Sequence, residues 1–515
     1  PDAVIAPGRD TLTKLRAAIQ YLSKPVERRD AYTFVGWRKI ADRWAYLHAG
    51  GAISGDGAVE GITMALRNDV LPRFELPKPP TGKALATAVR ACAELFGITR
   101  PDVTIPLFGA VWRAPLGPSP LTLYLAAPTS TGKSLLAALA QQHFGAAMHE
   151  GALPSSVKHS TAASVNELRV LVGDAIFTYD DFRLSGSSSE DLRFNERLDT
   201  VVRAQYGGTG AQRLSRDGSL NSHGAPPRSL LLITGETVPG GDSLRRRLLV
   251  VDVEKITRDL ATEKDLAATG VYARAMAGYL QWLAPRLDEV RAAARSEAKE
   301  CMARLLTNAD PNNRTSLLLA EVAVGVRTFL RFALEADALT RAQAEGVEDL
   351  MWSTLQDLAR QQRVHQIAED PTARFCKLVS AVLSAKCAHL TLSNGLPPDH
   401  AHLWGWIVGN GTSLLDDEDE DEHEEAGAEL PLEPFDDHPA RNIPPPALAE
   451  SERRKASFRS GGDCIGFVDT KKRLIWLKVE AAHRVARAFG ASSGQPLVVT
   501  AEDLPRRLYE RGLLA

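Results

Sequence analysis

Residues 127 to 134 read Ala-Pro-Thr-Ser-Thr-Gly-Lys-Ser, so a glycine, a lysine and a hydroxyl stand in direct succession after an apolar run, "LTLYLAA". A loop of this spacing between a strand and a helix aims backbone amides and a helix dipole at phosphate oxygens. Pro128, Thr129, Ser130, Thr131 and Gly132 would form the cradle. Lys133 would reach the β- and γ-phosphates, and the Ser134 hydroxyl would bind Mg²⁺. The first position is Ala127, where a glycine is usual; alanine costs little there if its φ is negative. The plain alternative is a chance Gly-Lys-Ser in a surface turn, and the strand before it and the helix after it argue against that.

Hydrolysis of a phosphoanhydride needs acid near the metal and the attacking water, and the expected place is the neighbouring strand. "AIFTYDDF" ends an apolar run in Asp180 and Asp181, 47 residues after Lys133. Asp180 would hold Mg²⁺ and Asp181 would orient or deprotonate water. Such a pair on its own serves as a turn or helix cap; its placement in the strand pattern favours catalysis. A third run, "SLLLITGE", ends in Thr234 and Glu236, and Thr234 is the candidate for positioning the water. Beyond it, Arg245, Arg246 and Arg247 stand together before a fourth run. A guanidinium forks onto phosphate, so one of them supplied by a neighbouring subunit would complete the site as an arginine finger. The same triplet also suits a solvated basic turn.

The elements that must position these residues are legible. Four apolar runs between 121 and 253, separated by helical segments, predict buried parallel strands with helices on both faces, an α/β fold. Residues 1–80 read as a β-rich domain: "AYTFVGWRKIADRWAYLHAGGAIS" predicts two or three strands, with turns at Gly36 and Asp42 and a break at Gly50-Gly51. Residues 81–253 are the α/β core. Residues 254–410 are expected as helices, with no strand between 255 and about 392. Residues 411–460 read as a disordered linker, because ten residues from Asp416 to Glu425 hold nine carboxylates and a histidine, followed by a proline-rich stretch. Residues 461–515 give strand, strand, helix and a second helix opening at Thr500, a winged-helix pattern.

At 515 residues the chain is too long for one core. The formal net charge is −3, yet it turns positive once the acidic run is set aside, which leaves room for a basic nucleic-acid path. Five scattered cysteines (Cys92, Cys301, Cys376, Cys387, Cys464) lack zinc-site spacing and suit a reducing cytoplasm. No apolar run approaches the length of a membrane span, and nothing reads as a signal peptide. The chain begins at Pro1 without methionine, so an upstream domain is possible. His48, His159 and His223 lack metal-ligand companions, and Trp37 and Trp44 read as core. Asp217-Gly218 is a two-residue hairpin turn with Arg213 and Arg216 on its first arm.

Taken together, "PTSTGKSLLAALAQQHFG", "AIFTYDDF", "RAQYGGTGAQRLSRDGSL" and "SLLLITGETVPGGDSLRRRLLVVDV" resemble the AAA+ replicative DNA helicases of phages and mobile genetic elements, the Cch-like, MCM-like kind. The resemblance covers most of residues 30 to 390, and the last segment resembles the family's winged-helix end. It implies an AAA+ P-loop ATPase core with an α-helical lid, with Gly132, Lys133 and Ser134 on ATP and Asp180 and Asp181 on Mg²⁺ and water. It favours Arg245 and Arg247 over Arg246 as trans-acting or sensor residues. It also gives Arg314 the place of a second sensor arginine at the γ-phosphate. Two loop positions depart from the family: Ala127, and Ser130 where a second glycine is common. Both bear on loop flexibility and affinity for ATP.

In such motors the hairpin before the sensor strand grips DNA in a ring's central channel, which implies phosphate contacts from Arg213 and Arg216. The expectation is therefore an ATP-hydrolysing DNA helicase acting on single-stranded and duplex DNA. It would form a homo-oligomer, a hexamer, translocate 3′ to 5′, and work beside a primase or other replication protein. The rival from another class is an ATP-switched DNA-binding initiator or loader without processive unwinding. A small-molecule phosphotransferase is weaker still, since it needs neither arginine cluster nor hairpin.

Overall fold

The computed structural model describes residues 8, 10–23, 31–183, 188–207, 213–214, 220–221, 226–305, 314–368, 371–408, 458–470, 472–493, 497 and 499–514. Of 188–189, 213–214, 220–221, 242 and 363–368 it describes the backbone alone. The chain forms two compact units, Pro1–Gln366 and Ile367–Ala515.

After a helix at Thr11–Leu22 and a two-residue strand at Ala31–Tyr32, the first unit forms an antiparallel meander of β1 (Gly36–Ile40), β2 (Arg43–His48), β3 (Gly51–Ser54) and β4 (Gly57–Val59). The stretch 31–54, predicted to hold two or three strands, holds β1, β2 and β3 besides the two-residue strand Ala31–Tyr32, and β4 lies beyond it. Ala41 and Asp42, at φ 46° and 62°, make the tight turn between β1 and β2. Gly36, expected in a turn, instead opens β1. Trp37 is buried at its predicted core position, whereas Trp44 is only partly buried and its indole N–H donates to Asp288 at 2.9 Å. His48 is a satisfied core histidine: its Nδ1 accepts from the Gly50 and Leu76 amides at 3.2 and 3.1 Å. Burial holds its pKa down at about 4.

The centre is a parallel sheet of β5 (Thr122–Ala126), β6 (Ser155–Ser156), β7 (Ile176–Phe182), β10 (Leu230–Gly235) and β11 (Leu249–Asp252), in the order β11-β5-β10-β7-β6. Between β7 and β10 in the chain, β8 (Arg213–Leu214) and β9 (Leu220–Asn221) pair antiparallel. The four predicted runs all become parallel strands, because near-continuous apolar sequence suits a sheet covered on both faces. β6 has two serines and no apolar run to announce it. The acidic strand β7 is not beside β5, as the sequence suggested; β10, which carries Thr234, lies between them.

Helices α1 (Gly82–Glu94), α2 (Pro101–Arg113), α3 (Lys133–Gln141), α4 (Ser188–Gly207), α5 (Asp242–Arg245), α6 (Val271–Leu283), α7 (Leu287–Leu305) and α8 (Arg314–Glu335) complete the parts of this unit used below. Helices α2 and α8 cross closely at Gly109 and Gly325: a Cβ on Gly325 would lie 2.0 Å from the Gly109 carbonyl oxygen. Trp112 stacks on Phe329 at 4.5 Å and meets Tyr279 edge-on at 5.2 Å, while the Tyr279 hydroxyl donates to the Trp112 carbonyl at 3.0 Å. These aromatic contacts tie α2, α6 and α8 into one core.

The second unit contains α10 (Pro371–Ser384), β12 (Ala388–Thr391), β13 (Trp406–Val408), β14 (Phe458–Ser460), β15 (Asp463–Asp469), β16 (Leu474–Leu477), α11 (Val479–Ser492) and α12 (Asp503–Glu510); α9 (Arg341–Ala368) leads into it. β12 pairs parallel with β15, and β15 antiparallel with β16. Strand β12 falls inside the stretch predicted to hold no strand; its first three residues are buried, and four residues carry too little periodicity to outweigh the helix before them. Within 461–515 the order strand, strand, helix, helix is as predicted, but α12 starts at Asp503 and not at Thr500, whose hydroxyl accepts from the Asp503 amide at 3.1 Å. Phe375, Leu378, Leu390, Ile465, Ala482 and Leu504 make this unit's core. The linker predicted at 411–460 lies outside the described residues except for 458–460, which form β14.

Candidate active site

Parallel strands deliver their carboxyl ends to one edge of the sheet, and there the predicted residues converge. The loop leaves β5 at Ala127, which is buried, keeps a negative φ and donates its amide to the Gly235 carbonyl on β10 at 3.0 Å. The departure from glycine therefore carries no backbone strain. Ser130 does what a glycine would: its φ is +63°, in the left-handed region. Gly132 has φ +97° just ahead of α3, and a Cβ there would meet the Ile256 side chain at 2.9 Å, so this glycine is required. The Thr131 hydroxyl closes the loop onto the Pro128 carbonyl at 2.9 Å. Lys133 is the first residue of α3 and is buried, with Ser134 beside it.

Across from the loop, the Ser134 hydroxyl points to Asp180 Oδ1 at 3.5 Å. Thr234 is wholly buried; its hydroxyl donates to the same Oδ1 at 2.5 Å and accepts the Asp181 amide at 3.0 Å. Thr234 thus braces the acidic pair and has no solvent-facing surface of its own. Asp181 has φ +65°, at a register shift between β7 and β10, and its side chain is exposed. The Asp180 carboxyl is raised above its ordinary range, chiefly by desolvation and further by Asp181, against the Thr234 hydrogen bond and Lys133, which pull it down.

Glu236 adds a contact that sequence reasoning missed. Its Oε1 accepts from the Thr129 hydroxyl at 2.6 Å and lies 3.5 Å from Arg183. The Thr129 bond, then Arg183 and Lys133, hold its carboxyl below the usual range despite some desolvation. Its signal was its place two residues past Thr234 at a strand end.

The donor set fits a nucleotide with Mg²⁺. A hydroxyl and a carboxylate are hard oxygen ligands, and a buried lysine at a helix start faces them. Among the described residues no group of three or more His, Cys, Asp or Glu is placed to hold a metal. Phosphate oxygens and water would therefore complete a Mg²⁺ shell at Ser134 and Asp180.

The arginines lie elsewhere. Arg245 donates through Nε to the Pro239 carbonyl at 2.7 Å and so ties down the segment after β10. Arg247 and Arg314 both lie over the Tyr206 ring, at 5.5 and 5.6 Å. Arg203, ion-paired with Asp199 at 2.5 Å, reaches the Ser243 hydroxyl that Arg247 also contacts. Arg247 stands two residues before β11, whose Leu249 is level with Leu123 near the start of β5. Gln205, next to Tyr206, bonds Ser119 ahead of β5. This arginine cluster is at the amino end of the sheet, opposite Lys133, and Arg314 is not among the residues gathered at the loop of its own chain. Arg213 is described only as backbone, in β8, and Arg216, Asp217, Gly218 and His223 lie outside the described residues.

The fold and site define an α/β domain with a Gly-Lys-Ser loop at the carboxyl edge of a parallel sheet. No protein-family model matches the chain, and no curated protein matches it. Similar solved structures include the SCCmec type IV Cch active helicase, at 15% identity and TM-score 0.45, covering 74% of this chain and 69% of that one. A JCV helicase with a bound thiazolopyridine compound matches at 16% identity and TM-score 0.25, over 47% of this chain and 66% of that one. The apo C-terminal region of NrS-1 matches at 10% identity and TM-score 0.27, over 69% and 81%. Among the described residues no helix is long and apolar enough to cross a membrane.

Proposed function

We propose that this chain is an ATP-driven DNA helicase motor of the AAA+ class, working as a ring-shaped homo-oligomer, a hexamer, of a phage or mobile element. The observation that carries the reading is the meeting of Lys133, Ser134, Asp180, Asp181 and Thr234 at one edge of a parallel sheet, from three adjacent strands. Lys133 binds the β- and γ-phosphates. Mg²⁺, when bound at Ser134 and Asp180, neutralises charge on those phosphates. Asp181, exposed beside the buried Asp180, orients the attacking water and takes its proton. Thr234 holds the Asp180 carboxylate and the backbone of Asp181 in place.

The cluster of Arg203, Arg247 and Arg314 around Tyr206 cannot serve the loop of its own chain from the opposite edge of the sheet. It suits the γ-phosphate held by a neighbouring subunit, where a guanidinium stabilises charge developing in hydrolysis. Grip on single-stranded DNA is assigned to Arg213 and Arg216, 3′-to-5′ polarity follows the family resemblance, and the segment 461–515 acts as a winged helix.

Mixing subunits tests the assembly. Lys133→Ala and Arg247→Ala chains are each expected to be inactive as ATPases. Mixed before assembly they regain a measurable fraction, because some interfaces then pair an intact loop with an intact arginine. Full activity of Arg247→Ala alone, or no recovery on mixing, contradicts the trans role.

A further inference from the structure

A second basic site lies at the amino edge of the sheet, away from the nucleotide loop. Pro118, Arg228 and Asp174 stand just ahead of β5, β10 and β7, three neighbouring strands. Facing them are Trp37, Arg38 and Lys39 of edge strand β1 and Trp44 of β2, and Arg291 of α7 closes one side. Together they line a cleft of about 470 Å³.

The charge in this cleft is unbalanced. Arg38, Lys39, Arg228 and Arg291 bring four positive charges against Asp174, the one carboxylate in the lining. Asp174 is buried and already engaged: it accepts from the Trp37 amide at 3.0 Å, from Arg291 at 3.3 Å, and from Arg228. Asp288, beside the cleft, offsets Lys39 at 3.6 Å. Lys39 and Arg291 lie over the Trp44 ring at 5.0 and 5.4 Å, so the indole holds these two cations in position. Burial first pulls the Arg291 pKa down, with Arg228 and Arg113 adding to it against Asp174 and Asp288, which pull it up. Arg38 is exposed on β1, and among the described residues its guanidinium has no ion pair.

We propose that this cleft binds the phosphodiester backbone of single-stranded nucleic acid, as a contact point separate from the nucleotide site. The proposal rests on the reading of the chain as a nucleic-acid motor. Guanidinium groups fork onto phosphate, and a pocket of small-molecule size admits a strand and not a duplex. Trp44 is occupied by cations, so the contact reads charge and not base sequence.

Fluorescence anisotropy of a labelled oligo(dT) twelve-mer, with full-length protein and no nucleotide, tests it. Arg38→Glu with Lys39→Glu should weaken binding at least about tenfold and flatten the salt dependence by roughly 1.4 in slope, two contacts at ~0.7 each. The milder Arg38→Gln with Lys39→Gln should weaken it about threefold, and melting temperatures measured in parallel report whether each variant keeps its fold. Arg43→Glu, exposed on the same meander and paired with Asp56 at 2.9 Å, should bind as the parent does. Unchanged binding in both double variants overturns the proposal. So does competition by a poly-glutamate peptide that exceeds unlabelled oligo(dT) at equal charge, since it assigns the cleft to an acidic protein. Because no nucleotide is present, failure here leaves the ATPase reading standing, and an inactive ATPase leaves this one standing.

Discussion

The Thr234 hydroxyl donates to Asp180 Oδ1 at 2.5 Å and accepts the Asp181 amide, so one buried side chain holds both acidic residues of the site. Removing it frees a charged acceptor and orphans an amide. A hydrogen bond to a charged group contributes about 1.5–3 kcal/mol, so Thr234→Ala should lower the ATPase kcat roughly 10- to 100-fold with a smaller change in KM. Thr234→Ser should recover most of the loss in the same steady-state assay. Equal defects in both variants would mean that the methyl packing matters and the hydroxyl does not.

Asp180 sets a pH dependence whose sign follows from its raised pKa. A carboxyl raised in the folded state binds protons more tightly there than in the unfolded chain. Its contribution to stability therefore falls as pH rises from the ordinary carboxylate range through the raised value. ATPase activity, which needs the ionised form, should fall off on the acid side at a higher pH than an ordinary aspartate would give. Thr234→Val, which removes the bond that lowers this pKa, should move that limb further up. Asp180→Asn should abolish hydrolysis yet raise the melting temperature at neutral pH; a lower melting temperature would contradict the desolvation account.

Glu236 joins the loop through Thr129 and adds negative charge near the place of the phosphates. Glu236→Gln keeps the acceptor and removes the charge. It should tighten ATP binding about twofold to fivefold in a fluorescent-nucleotide titration, the size expected for one screened charge at the protein surface. Weaker binding would show that the ion pair with Arg183 matters more to the loop than the repulsion.

The crossing of α2 and α8 leaves no room for a methyl at Gly325. Gly325→Ala should destabilise by roughly 1–3 kcal/mol through overpacking. Trp112→Ala, which empties the centre of the aromatic cluster, should cost about 3–5 kcal/mol. Chemical denaturation of the first unit's transition measures both.

What sequence alone revealed is what local spacing encodes. Gly132, Lys133 and Ser134 lie in one loop, and Asp180 and Thr234 each end an apolar run, so motif and periodicity sufficed. The Thr129–Glu236 contact joins residues 107 apart, and the anchoring of Trp37 on Asp174 spans 137. No local pattern reports such pairs. Arg247 and Arg314 were legible as arginines of interest, but their meeting over Tyr206 depends on three helices and a strand start brought together only by folding. β6 and β12 are too short to show a period, and the place of β10 between β5 and β7 is a matter of topology that the order of runs does not state.

The central claim is that ATP hydrolysis at Lys133 and Asp180 drives separation of DNA strands. A strand-displacement assay on a forked duplex, comparing the parent chain with Lys133→Ala, tests it most directly. The account predicts ATP-dependent unwinding by the parent and none by Lys133→Ala. ATP hydrolysis by the parent without any displaced strand would contradict it and favour an ATP-switched loader.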